Sequence, residues 1–547
     1  MTEETVEEPS KTGLKILFLS SDTGGGHRAS AESLAKQFQL LFPGTTYSVN
    51  DMVEHEGIPI YSSLVSYYKH LSAHPAQWKI LYEVTNSRAF ENFADAHLKL
   101  MCERVCRKTI RSVDPDVVVS VHPLMTNVPV LSCAKLSQET GRHLPMFTVV
   151  TDLGSAHCLW FCNGVEKMFV GSEQVWKLAQ DRGKVPDDKL VMAGLPIRHD
   201  FAVQAELLGD RMSPEGRDYQ TKIRKELELK FLDRKTLLVM GGGEGVGSLS
   251  KIVNSLYVEL VYAGIDALIL VVCGRNEKLQ KSLQTRDWEQ VLVRYRDMKE
   301  NRGIGFGNLP GCGVRNAPTA GCIEGGVTKS IRKILSTGAL QMDSPLSSPP
   351  PLPTSLSADN VAEEKKEATL SDDLEATASS PSPDAVAVTP DTADLDAGDK
   401  FTFDGIVDEG VKGKVEVVSL GFVSKMAEYM VAADVLVSKA GPGTISEAAA
   451  LSLPVLLTSF LPGQEEGNVD FVVDGGFGSY CSDRDPAGIA EEVVLWLTDD
   501  ERMEKLSKAA KEKGAPYAAR DIAKAIGDSA LKWKEINEAK EKATKST

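Results

Sequence analysis

Apolar residues in this chain fall into short runs, each followed by a longer amphipathic or polar stretch. The runs are too short for buried helices and predict strands that are covered on both faces. Those before residue 200 are KILFLS, DVVVSVHP, FTVVTD, KMFVGS and DKLVMAG. Those after it are KTLLVM, ALILVV, VEVVSLG, DVLVSK and LPVLLTS. With helices between them, at 27–41 and 248–262 for instance, each series predicts a doubly wound parallel α/β sheet, with a cleft between the two sheets.

A segment rich in proline, serine and acidic residues interrupts the second series. Residues 341–410 hold 16 Asp and Glu against three Lys, a charge of −13 out of the formal net charge of −16. Such a segment cannot bury enough apolar surface to offset its ordering entropy. We therefore predict a disordered insertion over 295–412. The expected domains are 14–205, and 206–294 together with 413–540.

The same pattern limits how the chain can meet a membrane. No apolar run approaches the roughly 18 residues that a spanning helix needs, so any membrane contact is predicted to be peripheral. The first residues, MTEETVEEPSKTG, lack the apolar stretch of a signal peptide and the Arg-rich, acid-poor character of a transit peptide. No targeting segment is visible, so either the protein is not imported or this is a mature or trimmed form. Nine cysteines lie scattered without a CxxC pair, which favours a reducing compartment and disfavours a structural zinc site.

A glycine-rich turn follows the first predicted strand, in SSDTGGGHRASAESL at residues 20–34. Gly25 and Gly26 allow a substrate to approach the backbone closely, and His27 falls in the first turn of the next helix. The positive end of the helix dipole favours neutral imidazole, which can accept a proton. A histidine that only caps the helix fits this position equally well.

A second glycine-rich loop, LLVMGGGEGVGS, opens the second domain in the same way. It lacks the GK[ST] of a P-loop. Gly241, Gly243 and Val246 occupy the positions of the dinucleotide fingerprint, without the acid expected after the next strand. Because Glu244 lies in the loop, an anion would have to be bound by backbone N–H groups. Alone, this loop is weak evidence for an anion-binding site.

The stretch KAGPGTISEA gives a more specific signal. A strand is predicted to end at Lys439, followed by a tight turn at Gly441 and Gly443 and a helix that starts near Thr444. A helix start of this kind presents free N–H groups to a diphosphate. Thr444-x-x-Glu447 also has the spacing of a capping box, in which Glu447 would only satisfy the helix start.

Two clusters of polar residues bear on sugar chemistry. LPGQEEGN places Gln464, Glu465 and Asn468 at another strand end, where adjacent amide and carboxylate groups suit a hexose, although an ordinary polar loop has the same composition. Asp114-Pro-Asp116 has the form of the metal-binding DxD of some sugar transferases. It precedes a strand at its amino end, away from the expected cleft, so a turn is favoured and no metal is expected.

Residues 58–93 are dense in aromatic side chains, including Tyr67, Tyr68, Trp78 and Tyr82, interleaved with lysine and arginine. This composition suits a segment that inserts among lipid headgroups. A core-packed pair of helices with a solvated basic face explains the same composition.

Seven strings occur in order along both predicted domains: SDTGGGHRASAE, HPLM, VVTDL, MGGGEG, CGRN, KAGPGTISEA and GQEEGN. Together they closely resemble the monogalactosyldiacylglycerol synthases and, more distantly, the bacterial peptidoglycan N-acetylglucosaminyltransferases. The resemblance implies a GT-B fold, in which the first Rossmann-like domain binds acceptor and membrane and the second binds the nucleotide sugar. It implies transfer of galactose from UDP-galactose to diacylglycerol with inversion to the β-anomer, without a required cofactor.

The resemblance also implies where such an enzyme works and what it meets. It implies peripheral attachment to the plastid envelope, at a membrane surface that carries anionic lipids, and no nucleic-acid partner. Activation by an anionic phospholipid and formation of a homodimer are left open.

The resemblance implies a base for the reaction. Inversion in one displacement requires a group that deprotonates the glycerol hydroxyl as it attacks C1 of the sugar. His27 is the leading candidate, since it lies in the family's glycine-rich motif. If His27 instead holds the phosphate of an anionic lipid, Asp22 or Asp51 is the implied base.

On the donor side, Gln464 and Glu465 are implied to hold the galactose hydroxyls, Glu447 the ribose, and Gly443 and Thr444 the diphosphate. Arg198 is implied to neutralise the leaving UDP, and Phe422 to lie where uracil is read. The other residues predicted to bind substrate are Gly25, Gly26, Gly243, Glu244, Gly245, Arg275, Met426, Gly441 and Asn468.

On the lipid side, Pro59 and Trp160 match positions associated with the family's response to acidic phospholipids. This chain has Ile58 where plant members have a tryptophan. Tyr67, Tyr68 and Trp78 complete the predicted lipid-facing set.

Two further functions stay open at this point. One is a UDP-glucose or UDP-N-acetylglucosamine transferase that acts on another lipid. The other is a catalytically idle, membrane-peripheral protein that binds a nucleotide sugar. The intact set His27, Glu447, Gln464 and Glu465 argues against the second, because an idle descendant is free to lose any of them.

Overall fold

The computed structural model describes residues 13–21, 25–51, 71, 74–241, 249–302 and 413–546. Among them, six strands form a parallel sheet in the order β2-β1-β3-β4-β5-β6. The strands are β1 (Lys15–Leu19), β2 (Thr46–Asn50), β3 (Val117–Ser120), β4 (Met146–Val149), β5 (Met168–Val170) and β6 (Leu190–Met192). The helices along this part of the chain are α1 (Gly25–Leu41), α2 (Pro75–Thr85), α3 (Arg88–Val113), α4 (Asn127–Thr140) and α5 (Glu173–Asp181).

Alternate side chains of β1 enter two separate cores, which is why this strand is apolar without a break after Lys15. Ile16 and Phe18 pack among residues of α1, and Leu17 and Leu19 pack among residues of α3 and α4. A parallel sheet covered by helices on both faces requires this pattern. It also leaves the carboxyl ends of the strands as the edge at which polar loops can gather.

The second sheet is built in the same way. In the described chain beyond residue 234, six strands run parallel in the order β12-β11-β10-β7-β8-β9. They are β7 (Lys235–Met240), β8 (Ala267–Val272), β9 (Val415–Leu420), β10 (Val435–Ser438), β11 (Val455–Leu457) and β12 (Gly478–Tyr480). The remaining helices are α6 (His199–Leu208), α7 (Pro214–Glu226), α8 (Leu249–Tyr262), α9 (Glu277–Gln284), α10 (Trp288–Arg302), α11 (Met426–Ala432), α12 (Pro442–Ala450), α13 (Glu466–Asp474), α14 (Pro486–Thr498), α15 (Asp500–Lys513) and α16 (Ala518–Ser546).

The predicted α/β class with two doubly wound sheets is confirmed. The predicted insertion over 295–412 overlaps the end of α10, which continues to Arg302, and residues 303–412 lie outside the described part of the chain. The strand β2 had no counterpart in the prediction, since its sequence TYSVN mixes polar and apolar residues at the sheet edge. No helix in the described residues combines the length and apolarity that crossing a bilayer requires.

The last helix returns to the first sheet, contrary to the expected second domain of 413–540. Ala519, Ile522 and Ile526 of α16 belong to the core that contains Ile16 and Phe18. Similarly, α6 packs with the second domain although the first was expected to end at 205, because Phe201 and Leu208 join the core of the second sheet. Both elements cross between domains, so each sheet depends on segments from the other half of the chain.

Candidate active site

His27 lies in the first turn of α1, directly beyond the carboxyl end of β1. Its Nδ1 is 2.9 Å from the hydroxyl oxygen of Thr151, which follows β4. Its ring meets His122 edge to face, with centroids 4.7 Å apart, and lies 6.0 Å from the Trp160 ring. Residues from the ends of three strands thus surround the imidazole.

Burial lowers the pKa of His27 to about 4, while a hydrogen bond with the Val121 backbone opposes the shift. Burial also holds the pKa of His122 well below its usual range, with a further contribution from the nearby His27. His27 is therefore neutral at physiological pH, mainly because it is desolvated. The helix dipole, which was also predicted to favour the neutral ring, lowers the pKa of His27 less than burial does.

Asp152 and Trp160 form a buried polar pair beside His27. The Trp160 indole N–H donates to Asp152 Oδ2 at 2.7 Å. Burial raises the pKa of Asp152 to about 7, the indole hydrogen bond opposes this, and the charge of Glu465 adds to it. Sequence reasoning gave Asp152 no role, although an acid directly after a strand end was a usable signal.

Trp160 was predicted to face lipid, and the structure differs. Its side chain is fully buried in a core with Val150, Phe161 and Met168. The residue supports the Asp152 carboxyl from inside the first domain and does not lie at a membrane-facing surface. Tyr82 of the aromatic segment is also buried, and its hydroxyl donates to the Ser155 carbonyl.

In the second domain, β10 leads into Gly441, the N-cap of α12. The helix begins at Pro442, two residues earlier than predicted, so Thr444 lies inside its first turn and is not an N-cap. The capping-box interpretation of Thr444 and Glu447 is therefore wrong. The N–H groups of Gly443 and Thr444 fall in the part of a helix where no intrahelical acceptor exists, as binding an anion requires.

Glu447 is buried and pairs with Arg198, which precedes α6. The Arg198 guanidinium donates from Nε at 2.7 Å and from Nη2 at 2.8 Å to the two carboxylate oxygens. Burial raises the pKa of Glu447, and the Arg198 hydrogen bonds and charge oppose that rise. Arg198 also lies over the Phe201 ring, 4.7 Å from its centroid.

Glu465 and Gln464 occupy the turn before α13. Lys439 donates to Glu465 Oε1 at 2.7 Å, and the Leu461 N–H donates to Oε2 at 2.9 Å. Asn468 is fully buried: its Oδ1 accepts from the Leu153 N–H at 3.3 Å, and its Nδ2 donates to the Ala440 carbonyl at 3.0 Å. Its amide thus joins the two domains.

The loop after β4 packs directly on the start of α13. A Cβ atom built on Gly154 would lie 2.0 Å from the carbonyl carbon and oxygen of Gly467. The Gly467 N–H donates to the Ser155 hydroxyl at 2.6 Å. Only glycine permits this approach of two backbones. The contact brings the Glu465 turn of one domain beside the Asp152 loop of the other.

The remaining predicted residues are distributed around this junction or lie outside the described chain. Asp51 directly follows β2, Arg275 lies between β8 and α9, and Phe422 is 77% exposed after β9. Met426 begins α11 and is buried in the core of the second sheet. Gly25 and Gly26 begin α1. Those outside the described residues are Asp22, Gly243, Glu244, Gly245, Pro59, Tyr67 and Tyr68.

Trp78 lies in α2, where it is partly exposed. Within the ranges that the structure describes, no group of three or more His, Cys, Asp or Glu side chains is arranged to hold a metal ion. The turn of Asp114 and Asp116 is held by Arg142, which bonds to both carboxylates.

Comparison with known proteins finds two family models and several relatives that this chain resembles. Residues 27–197 match the family model of monogalactosyldiacylglycerol (MGDG) synthase, and residues 399–525 match that of the glycosyltransferase family 28 C-terminal domain. The probable MGDG synthase 2 of Oryza sativa subsp. indica, named chloroplastic, is 28% identical over 520 residues, 93% of this chain and 80% of that protein. MGDG synthase 2 of Arabidopsis thaliana, also named chloroplastic, is 26% identical over 96% of this chain and 83% of its own length.

Among solved structures, that of Acinetobacter baumannii MurG covers 94% of this chain and 99% of its own, at 11% identity and a TM-score of 0.44. Two doubly wound domains joined at the carboxyl ends of their strands, with the matched family 28 domain, define a glycosyltransferase of the GT-B type. The described site lies at that junction. Within this class, the chain is similar to the monogalactosyldiacylglycerol synthases, through the family model over residues 27–197 and through named relatives over most of its length.

Proposed function

We propose that the protein transfers galactose from UDP-galactose to the free hydroxyl of 1,2-diacylglycerol, with inversion to β-monogalactosyldiacylglycerol. The observation that carries the proposal is the contact of Gly154 with Gly467. This contact brings the Glu465 turn, whose side chains suit sugar hydroxyls, next to the Asp152 loop, whose carboxyl can accept a proton. The names of the relatives support the choice of sugar and acceptor.

The donor would lie along the carboxyl edge of the second sheet. Gln464 and Glu465 would hold the hexose hydroxyls, and Glu447 the ribose. The N–H groups of Gly443 and Thr444 at the start of α12 would bind the diphosphate. Such pre-aligned donors stabilise the charge that develops on a leaving diphosphate, so the reaction as proposed needs no metal.

The acceptor would arrive from a membrane surface beside α2 and α3. Large apolar side chains are exposed on both helices, up to 65% for Ile80 and 80% for Leu100. The others are Leu81, Val84, Phe93 and Met101. An exposed apolar patch beside basic side chains such as Lys79 and Lys99 suits a bilayer that contains anionic lipids. Because the relatives are named chloroplastic, we propose the plastid envelope as that bilayer.

The test is a donor panel with purified protein. Diacylglycerol in mixed liposomes is incubated with UDP-galactose, UDP-glucose or UDP-N-acetylglucosamine, and the lipid products are identified by mass spectrometry. We expect a hexosyl lipid from UDP-galactose alone. Transfer from another donor would mean that the protein is a glycosyltransferase whose donor is not UDP-galactose. The absence of product with every donor, while UDP still binds, would favour the catalytically idle binding protein.

A further inference from the structure

Asp152 occupies a central position that the residue roles above do not use. It directly follows Thr151, whose hydroxyl contacts His27. It directly precedes Leu153, whose N–H bonds to Asn468 of the second domain. Its carboxyl accepts from the Trp160 indole, whose ring centroid lies 6.0 Å from that of His27, and it interacts electrostatically with Glu465 of the turn that would hold the sugar.

The carboxyl is buried without a compensating charge. Within the described ranges, Asp152 forms no ion pair, and the indole N–H of Trp160 is its one side-chain hydrogen bond, to Oδ2. A buried carboxylate without a cation costs stability, which makes it a candidate for a functional position. The charge of Glu465 raises the pKa of Asp152, and Glu465 is itself paired with Lys439.

His27 is less suited to take the proton. The Thr151 contact involves only Nδ1 of the ring, but burial lowers the pKa of His27 to about 4. A general base works best when its pKa lies near the operating pH. Burial brings the pKa of Asp152 to about 7, which meets that condition.

We propose that Asp152 accepts the proton of the acceptor hydroxyl and that Trp160 is the positioning residue that holds its carboxyl; this inference rests on the proposed function. The hydroxyl O–H bond breaks as its proton passes to Asp152 Oδ1. The oxygen forms a bond to C1 of the sugar, and the bond from C1 to the diphosphate oxygen breaks, so that UDP leaves with the electron pair. Asp152 then returns the proton to solvent.

The groups that face Asp152 determine the pH dependence. Trp160 donates to the carboxylate, while Glu465 on the α13 side and Tyr82 of α2 interact with it electrostatically. Because the base must be ionised, activity should rise with pH through about 7. Removal of the indole donor should move that rise to higher pH, since the hydrogen bond favours the ionised form.

The test compares D152N, W160F and H27Q with wild-type enzyme whose lipid product has been verified. We expect D152N to lower kcat by about 100-fold or more, with the Kd for UDP unchanged within about threefold. Formate should restore part of the activity of D152A. W160F should shift the acidic limb of the kcat profile to higher pH, and H27Q should keep that limb near its wild-type position.

Two results would overturn the inference. One is D152N with more than a tenth of the wild-type kcat, and the other is an acidic limb that W160F does not move. A wild-type enzyme that makes no galactolipid would overturn the proposed function, and this inference with it. An active wild type with an active D152N would overturn the inference alone.

Discussion

The Arg198 guanidinium binds both carboxylate oxygens of Glu447, at 2.7 Å and 2.8 Å. The carboxylate is buried, whereas the Arg198 side chain is 44% exposed. The pair keeps a buried charge satisfied at the position where the ribose is proposed to bind. Arg198 is exposed enough to turn toward a diphosphate when Glu447 accepts ribose hydroxyls.

Glu447→Gln should therefore weaken UDP binding more than it weakens the fold. A hydrogen bond to a charged group contributes about 1.5–3 kcal/mol, so we expect the Kd for UDP to rise about 10- to 100-fold by calorimetry. Urea unfolding should change little, because the released Arg198 remains in solvent contact. Glu226→Gln, which removes an exposed acid from the same domain, is the matched control. A variant that binds UDP as tightly as the wild type would remove Glu447 from the donor site.

Gly154→Ala should separate the two domains at their contact. The new methyl group would lie 2.0 Å from the Gly467 carbonyl, a distance that only movement of the backbone can relieve. Misplacement by about 1 Å can cost about 100-fold in rate, so we expect a loss of that order in kcat with UDP affinity retained.

Ser155→Ala is the matched variant, because it removes the acceptor of the Gly467 N–H without adding bulk. Its effect should be the smaller of the two. Full activity of Gly154→Ala would mean that the contact is dispensable for turnover.

Ile80→Glu and Leu100→Glu should weaken membrane binding. Each side chain would lose about 1.5–3 kcal/mol of apolar burial on insertion, which predicts at least about tenfold weaker sedimentation with vesicles that contain anionic lipid. Leu495→Glu alters an exposed apolar residue of α14 in the second domain and should leave vesicle binding unchanged. Equal losses in all three variants would point to non-specific adsorption.

His157→Gln should reduce the sensitivity of the fold to acid. Burial lowers the pKa of His157 to about 4, so the unfolded chain takes up the proton first as pH falls below about 6.5. Stability that depends on the neutral ring is present above pH 6.5 and is lost as pH falls toward 4. Between pH 7 and pH 5 the wild type should lose up to about 2 kcal/mol more than the variant in urea titrations. Equal losses of stability in the wild type and the variant would contradict a pKa of about 4 for His157.

The sequence predicted the sheets because strands covered on both faces must be apolar wherever they are covered, as β8 is throughout and β1 is after Lys15. It did not predict the return of α16 to the first sheet, because an amphipathic helix does not reveal which core covers its apolar face. Gly527 makes that packing specific: a Cβ there would lie 2.1 Å from Phe42, a residue almost 500 positions away in sequence.

The candidate site was predictable only where a local motif carried it. The turns at His27 and Gly441 lie at strand ends, as their glycine-rich sequences indicated. The properties of Asp152 depend on Trp160 and on Glu465, which is more than 300 residues away, so no local pattern could reveal them. The true partner of Glu447 was missed for the same reason, since Arg198 comes from the other half of the chain.

The central claim is tested most directly by the structure of the product. Wild-type protein is incubated with UDP-galactose and diacylglycerol liposomes, and the anomeric proton of the purified glycolipid is examined by NMR. The account predicts a single β-galactosyl diacylglycerol. An α-linked product, or no galactolipid from protein that binds both UDP and vesicles, would contradict it.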